Sequence, residues 1–326
     1  MRLDSSQRIS VRAPWGQGLG AGRSIIALSI AGTLIFTPPG VLFSALFTGN
    51  SSATCLGLHG ISAFCIVPTG AIAPVQYIFA VLLLIVASGV WPSTTAIPLA
   101  YMVVSFAWAS NIVDGGDQVA EIMAVLLIPI GLTDPRSNHW HRLSRQGEVD
   151  TLQFQVRSLV GSTFATVIRV QVSAIYLFAC LGKFTSSTWT DGSAIYYWFR
   201  HPNFGVPHWA ASPALWITSQ PIGTAAISWG TMILEFSLGI SMLIPVRRRV
   251  TVLLPLGIAF HLGIALFMGI TSFSFAMIGA LFLLLVPGGW SVGRSKLDER
   301  KRARRLEYSD GFFPAAPSTE QQATNV

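Results

Sequence analysis

Long apolar stretches separated by short polar breaks dominate the hydropathy pattern of this chain. Eight of them are long enough to cross a hydrocarbon core of about 30 Å as helices that rise about 1.5 Å per residue. The weakest, 118–132, is short and lies between Asp117 and Asp134, so a buried or tilted element is the alternative there. The predicted spans are 22–37, 73–90, 96–113, 118–132, 160–182, 222–244, 250–269 and 272–288.

The composition agrees with a chain that faces lipid. Hydrophobic residues make up 52% of the sequence and charged residues 11%, whereas soluble domains carry about 25% charged residues. The net charge of +7 does not indicate nucleic-acid binding, because the Lys and Arg residues flank the apolar runs and act as topology anchors. We therefore predict an all-α integral membrane protein with about eight transmembrane helices and an external, aromatic-rich interfacial segment.

The distribution of basic residues predicts the orientation. An eight-helix path puts eighteen of the 21 Lys and Arg residues on the cytoplasmic side, as the positive-inside rule requires. Lys183 and Arg200 fall outside, and Arg169 falls within a helix. The pattern predicts a multi-pass plasma-membrane protein with both termini in the cytoplasm. Its predicted parts are a basic arm (1–20), a transmembrane domain (21–290) and a basic, disordered tail (291–326).

The first long external segment, 38–72, carries no charged side chain and contains two cysteines, Cys55 and Cys65. In an oxidising compartment these can form a disulfide that closes the segment, and two free thiols are the alternative. Nine residues separate them, so they are not a Cys-x-x-Cys redox pair.

The second external segment, 183–221, is rich in aromatic residues suited to the headgroup region of a membrane. Asp191 is predicted to N-cap a short helix that ends before His201. We expect this segment to lie along the outer surface and to present a substrate platform. The predicted platform residues are Trp189, Asp191, Tyr196, Tyr197, Trp198 and Trp209.

Three ionisable residues fall near the middle of predicted spans: Arg169, Glu235 and His261. A charge there costs about 2.5–3.5 kcal/mol or more unless it is paired or hydrated. Because the three lie on consecutive helices at similar depth, we predict an Arg169–Glu235 pair with His261 nearby. The cluster has either a functional role or the purely structural one of fixing helix register.

Lys183 lies at the outer end of the fifth predicted span, just before the platform. It is a candidate base or nucleophile, and a snorkelling anchor is the alternative reading. With Glu235 and His261 it forms the candidate catalytic set. The histidines show no compact ligand spacing with Cys or carboxylates, so no metal site is predicted, and the sequence identifies no cofactor.

Several blocks resemble the sporulation-delaying protein B (SdpB) family: Gly22 to Ser29, Gln171 to Trp189 with Asp191 to Ala194, Leu234 to Phe236, and Phe260 to Leu262. The resemblance covers most of residues 15–288. That family belongs to a wider HTTM group whose membrane part is similar to that of vitamin K-dependent gamma-carboxylase. In the carboxylase a lysine in a Tyr…Gly…Lys…Trp stretch is the base, and Tyr176, Gly182, Lys183 and Trp189 look like that stretch.

The resemblance implies a role, in Gram-positive bacteria, in the production or maturation of a secreted antimicrobial toxin peptide, a type of bacteriocin. It also implies two partners, the toxin precursor and an SdpA-like protein. The chemical step stays open, and a carboxylase-like or other peptide modification is one reading. The alternatives are a transporter or immunity protein, with Arg169, Glu235 and His261 as its pathway, and a non-catalytic assembly subunit.

Overall fold

The computed structural model describes residues 13–48, 55–112, 114–143 and 151–290, and these ranges are almost entirely helical. The β pairing they contain is an isolated bridge between Val90 and Asn138. The first twelve residues of the predicted arm and the whole predicted tail, 291–326, lie outside the described residues.

Each of the eight apolar runs coincides with a helix, and two further helices of six or more residues lie in segment 183–221, which is predicted to be external. The last long helix but one is preceded by a π-helical turn, Arg249–Leu253. In chain order the described helices of six or more residues are α1 (Gln17–Phe36), α2 (Ile72–Ala87), α3 (Ala96–Ala109), α4 (Gly115–Thr133), α5 (Leu152–Lys183), α6 (Ala194–Phe199), α7 (His208–Ser219), α8 (Pro221–Gly239), α9 (Leu254–Met268) and α10 (Thr271–Leu285).

Five helices in the described part of the chain are long and apolar enough to cross a membrane: Gln17–Phe36, Thr69–Ala87, Gly115–Thr133, Leu152–Lys183 and Val246–Met268. The weakest predicted run is thus a helix of 19 residues, because it begins at Gly115, where Asp114 caps it by accepting from Gly116 N. Helices α3 and α10 are shorter, and α8 is not among the five. The protein has the helices of an integral membrane protein, and the count of eight crossings stays a prediction.

Helices α1 and α10 pack closely at the centre of the bundle because glycines face each other across their interface. A Cβ atom on Gly279 would lie 2.7 Å from Ile26 Cγ1 and 3.0 Å from Gly22 O. A Cβ atom on Gly22 would lie 2.7 Å from Leu283 Cδ2. Small residues allow such backbone approach in membrane bundles, where close packing is a main source of helix association.

Gly279→Val is therefore expected to destabilise the protein by about 1–3 kcal/mol through overpacking at this crossing. Gly32→Val in α1 is the matched control, since a Cβ atom at Gly32 meets nothing within 4 Å. Thermal unfolding of the detergent-solubilised protein, followed by circular dichroism, measures both. Equal losses of stability would contradict the close-approach argument and attribute the effect to helix propensity.

A buried ion pair lies in the turn that follows α4, on the predicted cytoplasmic side. Arg136 Nε donates to Asp134 Oδ1 at 2.9 Å, and Nη2 donates to Oδ2 at 2.7 Å. The two side chains are only 4% and 2% exposed. Arg136 Nη1 also donates to the backbone oxygens of His139 and His141, at 2.8 Å and 3.2 Å. One guanidinium thus holds the turn that follows α4.

On the same side of the bundle as this ion pair, two neighbouring residues of α1 bond to side chains of other segments. Ser24 Oγ lies 3.2 Å from His139 Nε2, and Arg23 Nη2 donates to Thr95 Oγ1 at 2.7 Å. Burial, together with the charges of Arg23 and Arg136, lowers the pKa of His139 to about 3, so its imidazole is neutral at neutral pH. The Gly-Arg-Ser part of the motif at 22–29 therefore has a packing role.

On the other side of the bundle, a disulfide joins Cys55 and Cys65 in the uncharged segment that is predicted to be external. The segment packs against α3, where Ser62 Oγ donates to Ser105 O at 2.8 Å. Phe64, a residue of this segment, is buried. The cysteines are therefore part of a packed cap on α3.

Candidate functional site

The centre of the candidate site is an ion pair between the C-terminal end of α5 and Glu235, in the C-terminal third of α8. Lys183 Nζ lies 2.8 Å from Glu235 Oε1 and also donates to Ala179 O at 3.3 Å. The side chain of Lys183 is 18% exposed and that of Glu235 is 8% exposed. Lysine is thus the accessible member of the pair, and glutamate is the enclosed one.

The structure gives Glu235 a different partner from the predicted one, and the predicted Arg169–Glu235 pair is wrong. Arg169 lies four turns, or about 21 Å along the helix, before Lys183. Its Nη2 donates instead to Val286 O at 3.3 Å, at the end of α10. The error arises because α5 has 32 residues and begins at Leu152, eight residues before the predicted span, so that Arg169 lies beside the end of α10 and Lys183, at the C-terminal end of α5, lies beside Glu235.

His261 of α9 is also buried, and it bonds to a tyrosine that was not among the predicted site residues. Its Nε2 lies 2.9 Å from the Tyr176 hydroxyl, and both side chains are almost fully enclosed. If the tyrosine donates, the imidazole proton sits on Nδ1, and if the imidazole donates, Nδ1 is an acceptor. Within the described residues Nδ1 has no hydrogen-bond partner, and neither has Glu235 Oε2.

One face of α5 carries the polar groups of the site. Tyr176, Cys180 and Lys183 follow the i, i+4, i+7 spacing that aligns side chains along a helix. Cys180 is a free, buried thiol whose Sγ donates to Met232 O of α8 at 3.4 Å. This spacing was visible in the sequence and is the signal that could have placed Tyr176 and Cys180 beside Lys183.

The predicted platform joins this centre directly. Lys183 Nζ lies 5.0 Å from the centre of the Trp189 ring, a cation–π distance. Trp229 Nε1 of α8 donates to Thr190 O at 3.3 Å, and Ile195 N donates to the buried Ser228 Oγ at 3.2 Å. The start of the platform is thus hydrogen-bonded to α8, the helix that carries Glu235.

Asp191 has a local role that differs from the predicted N-cap. The predicted short helix is present as α6, but its N-cap residue is Ser193. Asp191 Oδ1 accepts from Ser193 N at 2.8 Å, and the hydrogen bonds from Ser193 lower the pKa of this exposed carboxyl. The side chain therefore fixes the turn before α6. Gly192 lies in this turn at φ 82°, a left-handed conformation that glycine adopts readily.

The remaining platform aromatics are largely exposed. Tyr197 is 59% exposed and Trp209 is 69% exposed, and Tyr196 and Trp198 also reach the surface. Arg200 stacks on the Tyr196 ring, 3.8 Å from its centre. The structure also adds a helix that was not predicted, α7, which continues the platform after α6.

The arrangement can bind and move protons, and it offers no cluster suited to a metal. No group of three or more His, Cys, Asp or Glu side chains within the described ranges could hold a metal ion. Lys183 can donate a proton to a bound group, or accept one when deprotonated, while Glu235 offers an unused carboxylate oxygen. The Tyr176–His261 bond adds a second proton-carrying pair on the same face of α5.

Comparison with known proteins identifies relatives over most of the chain. The HTTM domain family matches residues 145–290, which contain α5 to α10 and thus both polar pairs. "Sporulation-delaying protein SdpB" of Bacillus subtilis is 31% identical over 279 residues, covering 84% of this chain and 82% of that protein. "Uncharacterized protein YitO" of the same organism is 28% identical over 278 residues, covering 85% and 87%. No solved structure matches the chain.

Proposed function

The chain belongs to the SdpB family, and from that premise we propose that it serves the production of a secreted antimicrobial peptide of the sporulation-delaying type. In this proposal the protein matures the toxin precursor or presents it for maturation at the outer membrane face. The observation that carries the proposal is the Lys183–Glu235 pair, because it lies between the membrane bundle and the external aromatic platform.

The orientation needed for this role follows the sequence prediction. Eight crossings of the plasma membrane with cytoplasmic termini place the loop after α5 outside, where a precursor arrives once its signal peptide is removed. The platform then lies at headgroup level with its tyrosines and tryptophans exposed. Such side chains supply large apolar contact areas with a polar edge, which suits an amphipathic or hydrophobic peptide.

The pair itself is a costly arrangement for a purely structural purpose. Ions removed from water lose several kcal/mol of solvation each, and apolar replacements of buried pairs are often neutral or stabilising. A pair kept for stability alone would satisfy every oxygen, whereas Glu235 Oε2 has no hydrogen-bond partner within the described residues. Lys183 is partly open beside Trp189. These features support a role in which Lys183 contacts a bound group and Glu235 holds the lysine side chain in place.

We also propose that the protein works with an SdpA-like partner and the surrounding bilayer. Much of its surface is apolar, with side chains such as Ile78, Val170 and Ile233 more than half exposed, as expected where lipid covers a bundle. In one form of the proposal Lys183 catalyses a bond change, and in the other it orients the precursor for the partner. The following experiment separates both forms from a transport function.

Glu235→Gln is expected to leave the precursor unprocessed, because the neutral amide can no longer act as the anionic partner of Lys183. The measurement is the intact mass of toxin peptide in cell-associated and secreted fractions of a producing strain, with protein levels matched. Glu121→Gln is the matched control: Glu121 is also a glutamate in a long apolar helix, but its Oε1 accepts from Trp108 Nε1 at 2.6 Å, in the other half of the bundle. We expect the control to secrete mature peptide like wild type.

Three results would contradict the proposal. Mature peptide trapped in Glu235→Gln cells would indicate a transporter. Normal secretion by that variant would show that the pair is dispensable. An equal loss in Glu121→Gln would show that any change to an intramembrane glutamate disturbs the protein.

A further inference from the structure

An apolar cavity of about 390 Å³ lies between α8 and α9, beneath the platform helices α6 and α7. Phe199 and Trp209 of the platform both stack near Phe267 of α9, at 6.1 Å between ring centres, and tie these elements together. Among the lining residues, all of which belong to the described part of the chain, Thr231 alone has a polar side chain. Other lining residues are Phe199, Ala214, Ile217, Ile227 and Gly263.

The walls determine what kind of molecule can enter. A peptide segment would bring backbone N–H and C=O groups that find almost no partners here, and each unsatisfied group costs free energy. A hydrocarbon chain brings no such groups and gains from contact with apolar walls. The volume lies within the range of about 300–1,000 Å³ that is typical of ligand pockets. The cavity therefore suits a flexible hydrocarbon chain better than the toxin precursor.

The cavity is accessible from the surface of the bundle. Ile217 of α7 is 41% exposed and Ile227 of α8 is 37% exposed, although both line it. In a membrane protein such exposed apolar edges face lipid, whose chains are present at very high local concentration. A chain can thus enter from the bilayer without crossing water.

A positive charge lies beside the cavity. Arg200 directly follows the lining residue Phe199, and its Nη2 donates to Leu215 O of α7 at 3.2 Å. Its Nη1 donates to Thr218 Oγ1 and Tyr196 O, both at 3.0 Å. These acceptors are neutral, and Arg200 forms no ion pair with a described carboxylate. The guanidinium retains N–H groups that can donate to a further acceptor at the predicted headgroup level.

We propose that this cavity binds one acyl chain of an anionic phospholipid from the outer leaflet, with the lipid phosphate at Arg200. Guanidinium groups bind phosphate through charge-assisted hydrogen bonds, and a lipid with a net negative charge binds more strongly than phosphatidylcholine, whose choline cation offsets the charge of its own phosphate. The inference concerns a site separate from the Lys183–Glu235 pair. Its test measures bound lipid and does not depend on toxin production.

The test uses the full-length protein in detergent micelles doped with phosphatidylglycerol or phosphatidylcholine, and native mass spectrometry counts the retained lipid. Wild type is expected to retain one phosphatidylglycerol with about tenfold preference over phosphatidylcholine, because both lipids carry the phosphate but the choline cation of phosphatidylcholine offsets its charge near Arg200. Arg200→Gln is expected to abolish the preference. Because Arg200 also braces α6 against α7, a second variant must fill the cavity itself.

Gly263→Leu is that variant, since a Cβ atom at Gly263 meets nothing within 4 Å and the residue lines the cavity. Gly230→Leu in α8 is its matched control, because that position is equally open but is not part of the lining. Gly263→Leu should lose the bound phosphatidylglycerol while Gly230→Leu retains it. Equal retention by the two leucine variants, or equal retention of both lipids by wild type, would overturn the proposal.

Discussion

Replacing Lys183 with methionine is expected to lower the output of mature peptide by at least about 100-fold, the lower end of what a positioned proton-transfer group contributes. Methionine matches the length of the lysine side chain but has neither charge nor N–H groups. It also leaves Glu235 as an unpaired buried carboxylate, which costs about 3–5 kcal/mol of stability if the carboxylate stays ionised. Both effects follow from one 2.8 Å contact, so stability and output must be measured separately.

A double variant separates them. Lys183→Met combined with Glu235→Gln removes both charges, so most of the lost stability should return, because no uncompensated ion remains. Output should stay low if Lys183 acts on the precursor. Melting temperature in detergent and secreted peptide mass, from the same four strains, complete the cycle of wild type, two single variants and the double variant. Recovery of output along with stability would assign the pair a structural role only.

The Lys183→Arg variant tests whether a positive charge at this position is sufficient for the output of mature peptide. Arginine keeps the positive charge and can still bond Glu235, but it cannot be deprotonated in a protein, whereas lysine can. We expect the arginine variant to remain folded and to produce little mature peptide. Full output from Lys183→Arg would show that the site needs only a cation and would exclude Lys183 as a base.

The sequence predicted the positions of the helices better than it predicted the contacts within the candidate site. Each apolar run became a helix because a helix satisfies every backbone group within its own segment, and hydropathy reports that requirement directly. Depth was harder to predict. The run 160–182 put Arg169 at its centre, but α5 continues to Lys183 and begins at Leu152, and a helix of 32 residues is about 48 Å long, more than a bilayer core. Hydropathy alone could not set which of its three basic residues, Arg157, Arg169 or Lys183, lay level with Glu235.

Contacts between distant segments were beyond prediction from one sequence. Ser24 meets His139 across 115 positions, and no periodicity along the chain encodes that distance. The cavity beside Arg200 was equally hidden, because α7 read only as an aromatic segment until its packing against α8 was known. Residue type indicated which side chains were costly to bury, and the fold decided which of them met.

Asp134→Asn is expected to cost about 3–5 kcal/mol of stability, since it removes the anion from a bidentate pair and leaves the Arg136 charge buried. Asparagine keeps the size of the side chain and one carbonyl oxygen, so any loss reports charge more than shape. Arg23 and Arg136 would then be two buried cations on this side of the bundle, both close enough to His139 to lower its pKa. The loss should appear as a lower melting temperature in detergent.

Asp191→Asn is the matched control for this change. Asp191 is exposed, and its hydrogen bond from Ser193 N can be accepted by the asparagine carbonyl equally well. We therefore expect no measurable shift in its melting temperature. A double variant, Asp134→Asn with Arg136→Met, should recover part of the lost stability by removing the uncompensated cation, although the hydrogen bonds to the oxygens of His139 and His141 would still be missing. If Asp134→Asn melts like wild type, water must reach Arg136, and the pair cannot be what holds the turn that follows α4.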